Sequence, residues 1–333
     1  MTQNLLIDPL LRALADPTRL RIMRLLAAME LAVGELAQVL GQSQPRVSRH
    51  VKILCDAGLA ERRKEGSWVF LKIAPFAADG PSLRAASARL LAAAEDEDKD
   101  FAAQCAEDRR QLAAIRAGRE AASAQYFARH AGEWDQIRSL LSPDEPVEEA
   151  LGRLLPASLG QLLDIGTGTG RMAQRFAPRA AHVTALDKSP DMLRIARTRL
   201  QDLPAGKVDL VQGDFAALPF ADAAFDTLLM HQVLHYAQAP ELVLAQAARV
   251  ARPGARLAIV DLAAHAHEEL RTTHAHARLG FSDEQMAQWF AATGFSADAP
   301  LALNGGQLTV KIWTGRRLPE SAGTAPSNAK VSA

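Results

Sequence analysis

The chain has 333 residues, of which 48% are hydrophobic and 23% are charged, and its formal net charge at pH 7 is zero. This length favours two globular domains, and the neutral total excludes a protein that is polycationic as a whole. Residues 1–75 nevertheless carry eleven Lys and Arg against seven Asp and Glu, so the N-terminal segment is positively charged. A basic segment in a neutral chain is typical of a modular DNA-binding protein.

The cysteine content and the apolar patterning indicate a cellular location. Cys55 and Cys105 are far apart in the sequence, so neither a disulfide framework nor a thiolate zinc site is predicted. The N-terminus lacks the pattern of a signal peptide, and no uncharged apolar run reaches about 18 residues. We therefore expect a soluble, cytoplasmic protein without a membrane partner and without a bound metal.

Three short helices are predicted at the start of the chain. The first begins after Asp16, a favourable N-cap residue, and has Pro17 in its first turn. The second covers residues 33–40 and ends at Gly41, and the third begins at Ser43. Two short helices joined by a tight turn predict a helix-turn-helix motif.

The third helix has one apolar face and one polar face. Val47, Val51 and Leu54 are spaced to face the core. The polar face is left to side chains that suit base edges and phosphates, namely Gln44, Arg46, Ser48, Arg49 and Lys52. This helix is therefore the predicted recognition helix.

A basic hairpin follows the third helix. Residues 59–73 read as two strands around a Gly66-Ser67 turn, and the first strand carries Arg62, Arg63 and Lys64. Alone, such a charge run is more often a solvated hairpin than a nucleic-acid contact. Directly after a helix-turn-helix motif it favours a DNA-contacting wing.

The segments LADPTRLRIMRLL and SQPRVSRHVKILCDAGLAERRKEGSWVFLKI resemble the ArsR/SmtB family of winged-helix repressors over residues 10–75. The resemblance implies a homodimer whose recognition helices enter successive major grooves of double-stranded operator DNA. Ala32 and Gly34 occupy the positions of the paired cysteines that arsenic-sensing members carry. Neither residue can ligate a metal, so the usual metal signal is not read there.

Residues 77–140 are rich in alanine and charge and nearly free of Gly and Pro, which predicts a helical linker. We expect it to add dimer contacts and to close over a ligand of the next domain. Tyr126-Phe127 and Trp134-Asp135 are the aromatic pairs suited to such a lid, although core packing explains them equally well. The tail, residues 319–333, is small and polar and is predicted to be disordered.

A glycine-rich turn after an apolar strand marks the C-terminal half. The turn reads Gly166-Thr167-Gly168-Thr169-Gly170, and Asp164 precedes it. Arg171 stands where the dinucleotide fingerprint G-x-G-x-x-G has its third glycine. The observed spacing is instead the class I methyltransferase form.

Further strands and acids follow in order. A strand over 183–187 ends in Asp187, about 20 residues beyond the turn, where a carboxylate would hold ribose hydroxyls. A third strand, 208–215, carries Asp214 near its end. Three more strands are predicted over 225–230, 255–261 and 308–314. Strands that alternate with helices predict a mostly parallel sheet with helices on both faces.

Residues 125–315 therefore resemble the class I S-adenosylmethionine (SAM) dependent methyltransferases. The resemblance implies an α/β Rossmann-like domain that binds SAM or S-adenosylhomocysteine (SAH), with Asp214 accepting from the adenine amino group. The implied cofactor-binding residues are Asp164, Gly166, Thr167, Gly168, Gly170, Asp187, Lys188, Met192, Gly213, Asp214 and Phe215. The predicted architecture is multidomain: an α+β winged helix-turn-helix over residues 1–76, the helical linker over 77–140, and the Rossmann-like domain over 141–318.

Six of the nine histidines lie between residues 231 and 276. His235 and Tyr236 follow the fourth strand and His265 follows the fifth, so these three are candidates to touch a methyl acceptor. The alternative is that the histidines belong to a polar lid, and their spacing does not match a helical zinc site. Arsenite is an improbable acceptor because no cysteine follows residue 105.

Three functions remain open from the sequence. The first is a DNA-binding transcriptional regulator, a repressor in type, that senses SAM or SAH and controls genes of methionine and SAM metabolism. The second is an active small-molecule methyltransferase that is autoregulated by its ArsR-type domain. The third is a metal or redox regulator that uses the histidines.

Overall fold

The computed structural model describes residues 7–75, 82–141, 144–304 and 307–319. It divides into two compact units, of which the first comprises residues 1–124 and 265–275 and the second comprises residues 125–264 and 276–333. The helical segment predicted between the domains is thus shared between the units at residue 124. The tail that we expect to be disordered lies outside the described residues from 320 onward. None of the helices in the described ranges combines the length and the apolarity needed to cross a membrane.

The first unit is a winged helix with two added helices. Its elements are α1 (Ile7–Leu14), α2 (Pro17–Leu26), β1 (Leu31–Ala32), α3 (Val33–Leu40), α4 (Gln44–Asp56), β2 (Ala60–Glu65), β3 (Trp68–Ile73), α5 (Leu83–Glu97) and α6 (Lys99–His130). The strands form an antiparallel sheet in the order β1-β3-β2. Helices α3 and α4 form the helix-turn-helix motif, and β2 and β3 form the wing.

The helix boundaries follow from local chemistry. Asp16 caps α2 by accepting from the Arg19 N–H at 3.1 Å, and Pro17 is the first helical residue. Gly41 ends α3 with a left-handed φ of 62°, which a glycine adopts without strain. These boundaries confirm the predicted helix-turn-helix motif.

Ion pairs join the two added helices to α2. Both carboxylate oxygens of Asp108, on α6, accept from Arg21 at 2.6 and 2.8 Å. Glu95, on α5, accepts from Arg24 at 2.6 Å and also pairs with Arg109. Asp108 is only 1% exposed, and the bidentate contact with Arg21 gives both of its oxygens a hydrogen-bond donor.

The second unit is a twisted sheet with helices on its faces. Its elements begin with the end of α6 and continue with α7 (Trp134–Leu141), α8 (Asp144–Leu154), β4 (Gly160–Ile165), α9 (Arg171–Phe176), β5 (Ala180–Asp187), α10 (Pro190–Leu200), β6 (Val208–Gln212), β7 (Phe225–His231), α11 (Pro240–Val250) and β8 (Ala251–Leu262). After α12 (Glu269–Thr273), which belongs to the first unit, they end with α13 (Asp283–Ala292), β9 (Phe295–Ala297), β10 (Leu301–Leu303) and β11 (Val310–Arg317).

The strand order is β10-β11-β8-β7-β4-β5-β6, and β9 also pairs with β11. Strands β4 to β8 are parallel, whereas β11 runs antiparallel to β8. The chain progresses outward from β4 through β5 and β6, then returns to the other side of β4 with β7. In open α/β sheets, a ligand crevice forms at such a switch point, outside the carboxyl ends of the strands. The predicted Rossmann-like fold is confirmed.

Residues 265–275, here called the strap, leave β8 and pack within the first unit. Arg271 Nη2 lies 3.0 Å from Glu65 Oε1, and the guanidinium lies 4.3 Å from the centroid of the Trp68 ring. Glu268 accepts from the N–H of Ser67. The strap therefore contacts the wing at both ends of its β-turn.

Candidate nucleoside site and DNA-binding face

The glycine-rich turn lies directly after β4, at the switch point of the sheet. Gly166 has a φ of 71°, and a Cβ atom there would lie 2.3 Å from Cγ2 of Val233. At Gly170, with a φ of 81°, a Cβ atom would be 3.0 Å from that of Ala196 on α10. The turn is thus pressed against the segment after β7 on one side and against α10 on the other, so a side chain would not fit at Gly166 or Gly170.

Asp187 ends β5 and faces the turn. Its Oδ2 accepts from the Gly168 N–H and its Oδ1 from the Ser189 N–H, both at 2.8 Å. A carboxylate has about four lone-pair sites, so Asp187 can still accept from a ribose hydroxyl. Burial raises the pKa of Asp187, and backbone hydrogen bonds from Ser189, Gly168 and Lys188 oppose that effect.

Asp164 lies beneath the turn and is 1% exposed. Its Oδ2 accepts from the hydroxyl of Thr167 at 2.6 Å. Burial raises the pKa of Asp164 to about 7, the negative charge of Asp187 adds to this, and the Thr167 hydrogen bond opposes it. A cationic group nearby would shift this acid to its charged form.

The end of β6 supplies a second polar edge. Asp214 Oδ2 accepts from Lys188 Nζ and Oδ1 accepts from the Ala216 N–H, both at 2.8 Å, and these donors lower the pKa of Asp214 against the effect of burial. Phe215 follows, half-buried, and packs on the core of the sheet. Met192 is 2% exposed on α10, so its side chain packs inside the domain.

The structure thus brings the predicted cofactor residues to the carboxyl ends of β4, β5 and β6 and to the helix that follows β5. These residues fit an adenosyl nucleoside, because three suitable features lie at the carboxyl ends of adjacent strands. They are the glycine-rich turn after β4, the carboxylate of Asp187 at the end of β5, and the aromatic ring of Phe215 after β6. Their roles as ligand contacts remain predictions.

Three aromatic rings lie beside the turn. The centroid of Phe127 is 5.2 Å from that of Trp134 and 4.9 Å from that of Tyr236, both in edge-on geometry. Trp134 Nε1 is 3.7 Å from the position of a Cβ atom at Gly168. Asp135 accepts from the Thr169 hydroxyl at 2.8 Å. Of the two aromatic pairs predicted as lid or core residues, Trp134-Asp135 therefore lies against the glycine-rich turn, and Phe127 packs on Trp134.

Of the three catalytic candidates, Tyr236 is one of these rings and His235 lies next to it. His235 is 3% exposed, and its Nδ1 is 2.7 Å from Oδ1 of Asp261, at the end of β8. The ring of Tyr236 is 4.1 Å from that of His235, and the ring of His276 is 4.3 Å from it on another side. His265 lies elsewhere, in the strap, where its ring is 5.5 Å from that of His267.

Asp261 is not among the predicted site residues, although an acid at the carboxyl end of a strand faces the ligand crevice. His276 is one of the six clustered histidines, but its packing on His235, 41 positions earlier in the chain, depends on tertiary structure. Within the described ranges, no group of three His, Cys, Asp or Glu side chains could hold a metal ion.

The predicted recognition helix exposes its polar face. Val47, Val51 and Leu54 are buried, as expected from the spacing. The candidate DNA contacts on the opposite face are all exposed: Gln44, Arg46, Ser48, Arg49 and Lys52. Lys52 also pairs with Asp56 at 2.7 Å.

The wing divides its three basic residues between two faces, because successive side chains of a strand point to opposite sides. Arg62 and Lys64 are exposed. Arg63 points the other way and lies 3.1 Å from Glu30 and 2.9 Å from Glu65. Its guanidinium also lies 5.1 Å from the centroid of the Phe70 ring.

An ion pair stands where related sensors carry metal ligands. Glu35 directly follows Gly34 in α3 and is 3% exposed. It accepts from the Ala32 N–H at 2.9 Å and from Arg119 at 2.8 Å, and Arg116 lies 3.7 Å away. Helix α3 is thus joined to α6 by ion pairs of Glu35.

The fold and the sites define a two-part protein, a winged helix-turn-helix unit joined to a class I methyltransferase fold. Residues 16–62 match the family model described as bacterial regulatory protein, arsR family, and residues 163–259 match the model of the methyltransferase domain. The N-terminal part is therefore an ArsR-family DNA-binding domain, and the C-terminal part is a class I SAM-dependent methyltransferase domain. The cofactor of this domain is SAM, or SAH as its demethylated form.

The curated relatives that are similar to this chain include several methyltransferases, each matched over less than half of the chain. A demethylmenaquinone methyltransferase of Renibacterium salmoninarum is 29% identical over 44% of this chain and 70% of its own length. The O-methyltransferase cnsE of Penicillium expansum is 35% identical over 40% of this chain and 50% of its own. An uncharacterized methyltransferase of Mycobacterium tuberculosis is 36% identical over 34% of this chain and 44% of its own. The chain thus spans about half the length of two of these relatives.

Two solved structures that are similar to part of this chain have the following measures of similarity. A SAM-dependent methyltransferase of Aquifex aeolicus has a TM-score of 0.45 and 18% identity and covers 56% of this chain and 97% of its own. A SAM-dependent methyltransferase of Thermotoga maritima has a TM-score of 0.45 and 21% identity and covers 58% of this chain and 99% of its own.

Proposed function

We propose that this protein is a transcriptional repressor that binds operator DNA as a homodimer and senses SAM or SAH. Genes of methionine and SAM metabolism would be its targets. The observation that carries the proposal is the carboxylate of Asp187, held by two backbone N–H groups at the switch point, in a chain that also exposes a basic recognition helix. The replacement of the metal-ligand positions by Ala32 and Gly34 supports a metabolite signal instead of a metal.

In this proposal the nucleoside lies across the carboxyl ends of the strands. Asp187 accepts from the ribose hydroxyls, and Asp214 accepts from the adenine amino group beside the Phe215 ring. Asp164 becomes charged when the amino group of the ligand approaches, because its pKa of about 7 makes it sensitive to a nearby cation. SAM and SAH differ by one methyl group and one positive charge, so the site must discriminate by electrostatics.

In the same proposal the DNA contacts come from α4 and the wing. Arg46 and Arg49 suit guanine edges, Gln44 suits adenine, and Ser48 and Lys52 suit phosphates. A dimer would place two such helices one helical turn of DNA apart. Arg62 and Lys64 would contact the flanking backbone.

A ligand changes DNA binding only if it binds the two DNA-binding states with different affinity. The strap offers the covalent route for that coupling. It begins four residues after Asp261 and ends immediately before His276, and its Arg271 pairs with Glu65 in the wing. We infer that a change in the position of Asp261 or His276, the residues near the two ends of the strap, is carried along the strap to the wing.

The test is operator binding by the full-length protein, measured by fluorescence anisotropy on DNA from upstream of methionine and SAM genes, with and without SAM and SAH. We expect one of the two ligands to change the Kd for DNA at least about fivefold, which is the lower end of typical allosteric coupling. Calorimetric binding of either ligand with no change in Kd for any such fragment would contradict the sensor. No binding of either ligand would contradict the nucleoside site itself.

A variant of the strap tests the coupling separately. Arg271→Gln should leave ligand binding in place but reduce the ligand response, expressed as the ratio of the DNA Kd with and without ligand for the variant itself. Arg197→Gln, at an exposed position on α10, is the matched control. An unchanged ligand response in Arg271→Gln would exclude the strap as the route.

A further inference from the structure

We propose that the second unit also transfers a methyl group, and that His235 and Asp261 form the base that activates a phenolic hydroxyl of a small, flat acceptor. This inference rests on the adenosyl site proposed above and assigns the methyl acceptor of that same site. The dyad, the aromatic rings and the local charge carry it independently of one another.

The first observation is the orientation of the dyad. Asp261 is fully buried, and its two oxygens accept from three backbone N–H groups as well as from His235 Nδ1: Leu234 at 3.0 Å, His235 at 3.2 Å and Leu262 at 2.7 Å. Four donors fix the orientation of this carboxylate and face it with N–H groups. Nδ1 of His235 donates to Asp261, which leaves the lone pair of the ring on Nε2.

The second observation is the state of Nε2. It is buried, and no group in the described part of the chain hydrogen-bonds to it. A buried polar atom without a partner costs about 1–3 kcal/mol, so such atoms are rare outside sites that receive a ligand. An imidazole with one nitrogen held by a carboxylate and the other free to accept is the arrangement of a general base.

The third observation is position. Val233, two residues before His235, contacts the Cβ position of Gly166, so the dyad adjoins the glycine-rich turn that we assign to the nucleoside. Phe127, Trp134 and Tyr236 continue from that turn to the dyad as one aromatic cluster. Aromatic side chains favour flat, apolar ligands, which they contact by edge-on and offset stacking.

The fourth observation is charge. The pKa of His231, at the end of β7, is lowered well below its usual value by burial and then by the positive charges of Arg138 and Arg171. The sulfonium of SAM would add another positive charge. Arg138 and Arg171 are themselves paired with Asp144 and Glu148. The sulfonium is therefore the charge that would stabilise the negative oxygen developing on a hydroxyl acceptor.

In the proposed reaction, the acceptor oxygen attacks the methyl group of the sulfonium cosubstrate. The new C–O bond forms while the C–S bond breaks, and the electron pair of that bond stays on sulfur. The hydroxyl proton passes to Nε2 of His235, and Asp261 stabilises the imidazolium that results. The aromatic cluster excludes water from the oxygen and holds the ring in line. The proton then leaves His235 to solvent with the product.

The first test uses 4-nitrophenol, whose visible absorbance reports its ionised form, with the full-length ligand-free protein. We expect bound 4-nitrophenol to be more ionised than the free compound at the same pH. His235→Asn retains a donor to Asp261 but lacks the base, so it should bind the probe without that spectral change. His182→Gln is the matched histidine control, because His182 lies near the N-terminal end of β5, whereas Asp187 ends that strand. Absence of the change in wild type, or its persistence in His235→Asn, would overturn the dyad.

The second test uses tritiated SAM with catechol and, separately, with a small-molecule extract of the source cells. Wild type should label an organic-soluble product. His235→Asn should reduce kcat about 100-fold or more, the range typical of a lost general base, with little change in KM or in the Kd for SAH. Phe127→Leu should raise KM instead. SAH binding without product from either source, or an unchanged kcat in His235→Asn, would overturn the proposal.

The two proposals fail differently. If SAH does not bind, the sensor fails, but the ionisation of 4-nitrophenol still decides the dyad. If SAH binds and shifts DNA affinity while neither phenol probe responds, the sensor stands and the acceptor site is rejected. A His235→Ala variant rescued by added imidazole would separate a lost base from a disturbed fold.

Discussion

The buried polar groups named here differ between the two units in whether they have partners. In the first unit, Glu35 and Glu65 are both buried, and both form ion pairs with arginines. These pairs join α3 to α6 and the wing to the strap. In the second unit, His235 keeps an unpartnered Nε2 in the described structure, and Asp164 has its pKa raised to about 7. The paired charges of Glu35 and Glu65 join elements of the first unit, whereas the unpartnered Nε2 of His235 and the raised pKa of Asp164 occur beside the proposed ligand site.

The sharpest way to break this comparison is to remove a paired charge. Glu35→Ala leaves Arg119 and Arg116 beside an empty position, and we expect the local stability of α3 to fall by about 3–5 kcal/mol. Hydrogen exchange of the α3 amides measures this change. Asp8→Ala is the control, because its pair with Arg12 is exposed and should contribute less than about 0.5 kcal/mol. A loss below about 1 kcal/mol at Glu35 would show that its ion pairs do not hold α3.

The second prediction concerns a group assigned to the ligand. Asp187→Asn keeps the size of the side chain but loses the charge, and it turns an amide donor towards a backbone N–H. We expect the Kd for SAH to rise about 100-fold, since two charge-assisted hydrogen bonds to the ribose are affected. Calorimetry measures this, with Asp222→Asn at an exposed position as the control. A change within threefold would remove Asp187 from the ligand site.

The third prediction uses the raised pKa of Asp164. The folded value is about 7 and the ordinary value is 3.8, so the folded state binds this proton more tightly than the unfolded state does. Between pH 4 and 7 the stability of the ligand-free second unit should therefore fall as the pH rises, by up to about 1.4 kcal/mol per pH unit, and level off above pH 7. Asp164→Asn keeps an acceptor for Thr167 and should flatten this slope in the hydrogen exchange of β4. A slope that persists in the variant would assign the titration to another group.

Much of this architecture was predictable from the sequence, because the signals are local. Asp16, Gly41 and the glycine-rich turn act through backbone geometry within a few residues, so helix ends and the switch-point turn follow from the chain itself. The pairing of His235 with Asp261 and the packing of His276 depend on which strand ends adjoin. Such contacts between distant residues carry no periodicity that a single sequence reveals.

The wing shows the same limit on a smaller scale. The run Arg62-Arg63-Lys64 reads as one basic patch in sequence, yet the strand turns its middle member towards Glu30, Glu65 and Phe70. The three residues are predicted together as DNA contacts because their run in the sequence shows no pairing. Glu65 is two positions from Arg63, but Glu30 is 33 positions away and reaches it only in the folded structure. Whether Arg63 contacts DNA remains a prediction, and its ion pairs favour a structural role.

The smallest expected effect separates these three residues. Arg62→Ala and Lys64→Ala should each weaken operator binding a few-fold and lower the slope of log K against log salt by about one, as expected for a lost phosphate contact. Arg63→Ala should leave that slope unchanged and instead increase hydrogen exchange in β2 and β3, because it exposes the charges of Glu30 and Glu65 to each other. Lys72→Ala, on β3 beside an exposed glutamate, is the charge-matched control. A reduced salt slope in Arg63→Ala would return that residue to the DNA interface, and the paired charges of the first unit could then no longer be regarded as purely structural.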